Sequence, residues 1–193
     1  MDKQKETRTV TAELRVVAAD GVAKKISGHA ATFDTLSEDL GGFRERVAPS
    51  AFAKSITNAD VRALWNHDAN IVLGRNKAGT LRLSEDSIGL AFEVDMPDTQ
   101  LVRDMVMAPI ARGDVNQCSF GFYTIRDKWD KIDGEWVRTL LECDLLDVSP
   151  VTYPAYSSTD VAVRSLNAAM KSESPPNESW TVSSLRKRLD LSL

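Results

Sequence analysis

A chain of 193 residues with a net charge of −4 and a pI near 5.3 is a poor match for nucleic-acid binding as its main role. Cys118 and Cys143 form no disulfide framework, so a reducing compartment is expected. The polar N-terminus does not read as a secretory leader, and no apolar run approaches the roughly 20 residues of a membrane helix, so neither export nor a membrane role is expected.

Residues 1–8 read as a flexible polar arm. From Thr9, the alternation of Val10, Ala12, Leu14 and Val16 predicts one half-buried strand. Asp20-Gly21 signals a turn, and Lys25 to Phe33 reads as a second strand, making a hairpin with the first. Asp34 to Gly42 is a loop. Ser50 is placed to cap a short helix with Phe52 and Ile56 on one face. Val61 to Trp65 is a strand that delivers His67. Further strands are expected around Ile71–Leu73, Leu81–Leu83 and Leu90–Val94.

Asp98 or Thr99 caps the best helix, with Leu101, Val102, Met105, Val106 and Ile110 on one stripe. Pro109 strains its last turn and Gly113 ends it. A strand through Ser119, a turn at Asp133-Gly134 and a strand from Trp136 to Val148 complete the body. The fold class is therefore mainly β with a few helices, α+β. The body is bounded at 9–165. Residues 166–179 read as a linker, centred on the Ser- and Pro-rich stretch 171–179, and 180–193 as an amphipathic segment that docks on the body or on a partner.

The chemistry rests on few residues. A serine is a nucleophile only when a base takes its proton and a third group holds that base. His67 ends a strand beside polar Asn66 and Asp68; His29, in Ser27-Gly28-His29-Ala30, reads as a structural strand histidine. The acid follows from hairpin register. With a three-residue loop, paired positions sum to 266 and Ser119 lies opposite Asp147. With a two-residue Asp133-Gly134 turn they sum to 267, and only a bulge returns Asp147 to the face of Ser119. Cys118 is the rival nucleophile, but in a strand it points to the opposite face, with Phe120 and Phe122, and reads as buried; the histidines and cysteines lack metal-ligand spacing, so no metal or other cofactor is expected.

Short motifs in order resemble those of the prohead proteases of tailed bacteriophages, serine proteases of capsid maturation. They are Gly28-His29-Ala30-Ala31-Thr32-Phe33-Asp34, Pro49-Ser50-Ala51-Phe52, Leu64-Trp65-Asn66-His67-Asp68 and Leu73-Gly74-Arg75. Gly113-Asp114-Val115, Cys118-Ser119-Phe120-Gly121-Phe122 and Asp147-Val148-Ser149-Pro150 continuing to Ala155 follow. The resemblance implies a herpesvirus-assemblin-like β-barrel flanked by helices. It puts Ser119 at the nucleophile position, His67 at the base and Asp147 at the third position, where the phage enzymes often carry glutamate. Glu142 and Asp144 are the fallback acids, and Arg164 is a candidate aid to the oxyanion.

The resemblance further implies an endopeptidase that cuts the scaffold region of the major capsid protein, and itself, inside the assembling prohead in the host cytoplasm. Self-cleavage would fall in 171–179, and 180–193 would bind scaffold or capsid protein. An oligomer is compatible with this reading. The alternative is a non-catalytic capsid assembly or scaffolding protein that keeps the protease fold.

Overall fold

The computed structural model describes residues 4–11, 14–19, 22–153 and 160–173. Ten strands dominate. They are β1 (Glu6–Thr11), β2 (Arg15–Ala19), β3 (Val22–Thr32), β4 (Phe43–Val47), β5 (Arg62–Trp65), β6 (Asp68–Arg75), β7 (Leu81–Glu85), β8 (Gly89–Asp95), β9 (Gln117–Ile132) and β10 (Glu135–Val151). Helix α1 is Ala53–Asn58, α2 runs through Gln100–Val102, Arg103–Met107 and Ala108–Arg112, and α3 is Asp160–Glu173.

A six-stranded sheet has the order β1-β9-β10-β5-β6, with β4 also on β10; β2-β3-β8-β7 form a second sheet. Strands β4 and β5 run parallel to β10, and the remaining pairs are antiparallel. Among the described residues a single parallel bridge, Phe33↔Val47, links the end of β3 to β4, and the two sheets do not close into a barrel. They share one apolar core instead, in which Ile26, Phe92 and Val94 meet Phe120, Phe122, Leu145 and Val148. A smaller cluster of Leu40, Phe43 and Leu166, flanked by Trp129 and Trp136, closes the far end of the β9–β10 hairpin.

Several sequence expectations change. The alternation from Thr9 to Val16 is not one strand: β1 and β2 belong to different sheets. Residues 6–8 are not a loose arm but part of β1, because Glu6 and Arg8 are ion-paired with Glu45 and Arg138 in a nearly dry cluster. Strand β4, which fell between predicted elements, contributes Phe43, Glu45 and Val47 to the interior. Ser50 does not cap α1. Its φ is 68°, the N-cap is Phe52, and Phe52 N–H donates to Glu85 Oε1 at 2.9 Å.

In α2, the expected strain at Pro109 is relieved by a π-turn over Arg103–Met107, just before the ring that lacks an N–H. Helix α3 covers 166–173, the first part of the expected linker, because Leu166 buries against Leu40 and Phe43. The rest of the linker and the 180–193 segment lie outside the described residues.

Candidate active site

The site is built on the β9–β10 hairpin. Asp133 and Gly134 have φ of 51° and 87°, both left-handed, so the turn has two residues. Pairing starts at Ile132↔Glu135 and still sums to 267 at Phe122↔Leu145, after a compensated irregularity near Glu142. Between Leu145 and Asp147 one residue is bulged, and from Gly121↔Asp147 the sum is 268. That single insertion turns Asp147 from the core face to the face of Ser119.

Ser119 lies directly opposite Ser149, and Asp147 is its diagonal neighbour. The difference matters for what fits between them. Directly opposed residues have Cβ atoms about 5 Å apart, whereas diagonal ones are about 7–8 Å apart, room for an imidazole held end-on.

The motif around Pro49-Ser50-Ala51-Phe52 fixes this part of β10. Ala51 C=O accepts from Cys143 N–H at 2.9 Å, and Ser55 Oγ, on α1, accepts from Leu145 N–H at 2.6 Å. The bulge is thus held from outside the sheet, one residue before its extra member.

His67 comes from the two-residue turn joining β5 to β6, across Trp65↔Asp68. Asn66 and His67 have φ of 53° and 59°. Neither is glycine, so the turn needs external support. Asn66 supplies it: its N–H donates to Pro150 C=O at 3.1 Å, and its Oδ1 accepts from Thr152 N–H at 2.9 Å. The turn is therefore tied to the end of β10, and the His67 ring lies across to β9.

The ring contacts both partners. His67 Nδ1 is 2.5 Å from Asp147 Oδ1, and Nε2 is 2.7 Å from Ser119 Oγ. An ionised carboxylate only accepts, so Nδ1 carries the proton and Nε2 accepts from the serine hydroxyl. Ser149 Oγ, fully buried, also donates to Asp147 Oδ1 at 2.9 Å, and Lys5 Nζ donates to Oδ2 at 2.9 Å.

Burial of Asp147 works to raise its pKa. The hydrogen bonds and charges of His67 and Lys5 outweigh it and hold the carboxyl below its ordinary 3.8. An acid kept ionised beside Nδ1 fixes the tautomer that leaves Nε2 free to accept a proton.

Ser119 has 0% exposure while the His67 side chain has 19%.

The other candidates are placed elsewhere. Glu142 pairs with Lys54 at 3.0 Å, and Asp144 lies opposite Tyr123, so neither fallback acid takes the contact that Asp147 makes. His29 Nε2 bonds Asp86 Oδ2 at 2.9 Å on the second sheet. Cys118 is fully buried, which pushes its thiol up to about 12 and leaves it unfit as a nucleophile.

Arg164 is on α3, whose Leu166 packs beside Trp129; that is ten residues along β9 from Ser119, on the order of 30 Å. No group of three or more His, Cys, Asp or Glu residues among the described residues is arranged to hold a metal, and none of their helices is long and apolar enough to cross a membrane.

Sequence reasoning missed Lys5 and Ser149. Ser149 was legible as the residue two beyond Asp147 on the same strand face. Lys5 carried no local signal, because a polar terminus gives no pattern.

Residues 10–173 match a family model described as caudovirus prohead serine protease. No curated protein and no solved structure matches the chain.

Proposed function

The chain belongs to the caudovirus prohead serine protease family, and we propose that it is a serine endopeptidase in which Ser119 is the nucleophile, His67 the general base and then acid, and Asp147 the orienting acid. The observation that carries this reading is the unbroken line from Asp147 Oδ1 through both ring nitrogens of His67 to Ser119 Oγ, at 2.5 and 2.7 Å.

Ser119 Oγ attacks the scissile carbonyl carbon while Nε2 takes the hydroxyl proton, giving a tetrahedral oxyanion. The imidazolium is stabilised by the Asp147 carboxylate. Collapse breaks the C–N bond, and Nε2 returns the proton to the leaving amine. A water activated by the same nitrogen then hydrolyses the acyl-serine. Orientation by the acid is worth about 10⁴ in turnover when carboxylate is exchanged for amide, so Asp147→Asn should fall by that order.

The substrate we propose is the scaffold region of the major capsid protein, with the chain itself as a second substrate in the stretch 171–179. The 180–193 segment would dock on scaffold or capsid protein and carry the enzyme into the prohead. Family membership supports the capsid setting. A likeness to the assemblin fold, without a closed barrel, is part of the same proposal, supported by the shared core of the two sheets.

Co-expression with the capsid protein tests the reading. Scaffold cleavage, and a shortened mass of this chain, should appear with the wild type and vanish with Ser119→Ala. Cleavage that persists in Ser119→Ala would rule out the assigned nucleophile.

A further inference from the structure

We infer that Lys5 is a positioning residue of the catalytic centre, holding the outer oxygen of Asp147 so that its inner oxygen stays aimed at His67; this rests on the protease reading above. Three observations on different elements converge on it. The first is the ion pair. Lys5 Nζ lies 2.9 Å from Asp147 Oδ2, the Asp147 side chain is only 4% exposed, and among the described residues Lys5 is its one cationic partner besides the imidazole.

The second is register. Strand β1 pairs Glu6 with Phe122 and Thr7 with Gly121, and continuing that pairing brings Lys5 beside Tyr123, on the face of Ser119 and Gly121. The third is the space at Gly121. A Cβ built there would lie 2.7 Å from Lys5 Cε and 2.4 Å from Asp147 Oδ2. Glycine in the serine strand is what lets the lysine chain cross to the carboxylate.

A surface ion pair would do none of this. The Lys5 side chain is 41% exposed, so its own contribution to stability is small, and truncating it opens no cavity in the core. What it changes is the acid. With Lys5 present, Oδ1 receives His67 and Ser149 while Oδ2 is neutralised. Without it, the carboxylate is held through Oδ1 alone, and its uncompensated charge favours the protonated imidazole, which cannot act as base. Among the described residues, the titratable and charged groups facing Asp147 are Lys5 from ahead of β1 and His67 from the β5–β6 turn, while the buried thiol of Cys118 lies on the opposite face of β9.

The test uses a chemical rescue within one folded preparation. The full chain carrying Lys5→Cys is measured before and after alkylation with 2-bromoethylamine, which rebuilds an ammonium of lysine length; Cys118 and Cys143 are buried and stay unmodified. The readout is the rate of labelling by a fluorophosphonate across pH, with Ser119→Ala as the blank.

The untreated variant should label about 10-fold more slowly than the wild type at neutral pH. Its acid limb should move up by ~0.5–1 pH unit, and alkylation should restore both. A wild-type pH profile in the untreated variant, or no change on alkylation, overturns this inference alone. Absence of labelling in the wild type overturns the protease reading and this inference with it.

Discussion

Gly121 has no side chain to spare, because Asp147 and Lys5 fill the place where one would go. Gly121→Ala would set a methyl 2.4 Å from Asp147 Oδ2, and the carboxylate would have to leave its position opposite His67. A misplacement near 1 Å costs about 10² in turnover. We therefore expect Gly121→Ala to stay folded by circular dichroism and to lose about 100-fold in fluorophosphonate labelling rate. Labelling at the wild-type rate would show that Asp147 does not depend on this gap.

At the same scale, Ser119, His67 and Asp147 each stand in a motif that can be read from the chain. Lys5 cannot be read, since only the long-range pairing of β1 with β9 gives a polar terminal residue a partner.

Between elements, the decisive feature is the bulge ahead of Asp147. The alternating patterns of β9 and β10 make the hairpin legible, and Asp133-Gly134 makes its turn legible. Whether the turn has two or three residues, and whether a bulge follows, is not encoded in hydrophobic alternation. The turn length shows only in the left-handed φ of Asp133 and Gly134, and the bulge is supported by α1, whose Ser55 Oγ accepts from Leu145 N–H, and by Ala51 C=O, which accepts from Cys143 N–H.

Ser55→Ala leaves a buried backbone N–H without this acceptor, a cost of about 1–3 kcal/mol. The expected outcome is a lower urea midpoint together with a loss of labelling rate larger than any unfolded fraction explains. An unchanged labelling rate per folded molecule would mean that the bulge holds without α1.

Across the whole molecule, a buried ionic cluster joins β1, β4, β9 and β10. Arg138, only 3% exposed, bonds Glu6 at 2.8 Å, Glu45 at 3.0 Å and Asp127 at 2.7 Å, while Arg8 bonds Glu6 and Glu45, both at 2.8 Å. This cluster is why the polar N-terminus is strand rather than arm, and it places Lys5 beside the site. Arg138→Met would leave two buried carboxylates, Glu6 and Glu45, sharing the single guanidinium of Arg8, and we expect a loss of about 3–5 kcal/mol in urea unfolding. A loss below about 1 kcal/mol would show that the cluster is dispensable.

The pH dependence has a definite sign. Burial raises the Glu6 pKa, but bonding to Arg138 and the charges of Arg138 and Arg8 bring it below its ordinary 4.5. Its contribution is therefore fully present above pH 4.5 and is lost as pH falls through the lower folded-state value; Asp147 behaves likewise below 3.8. Acid unfolding should consequently begin below pH 4.5, and Glu6→Gln should flatten it.

The central claim is that Ser119 is the activated nucleophile. Reaction of the purified chain with a fluorophosphonate, followed by peptide mass mapping, tests it most directly. The account predicts one adduct, on the peptide containing Ser119, absent in Ser119→Ala and strongly reduced in His67→Ala and Asp147→Asn. An adduct on another residue, or one on Ser119 that forms as fast without His67, would contradict it.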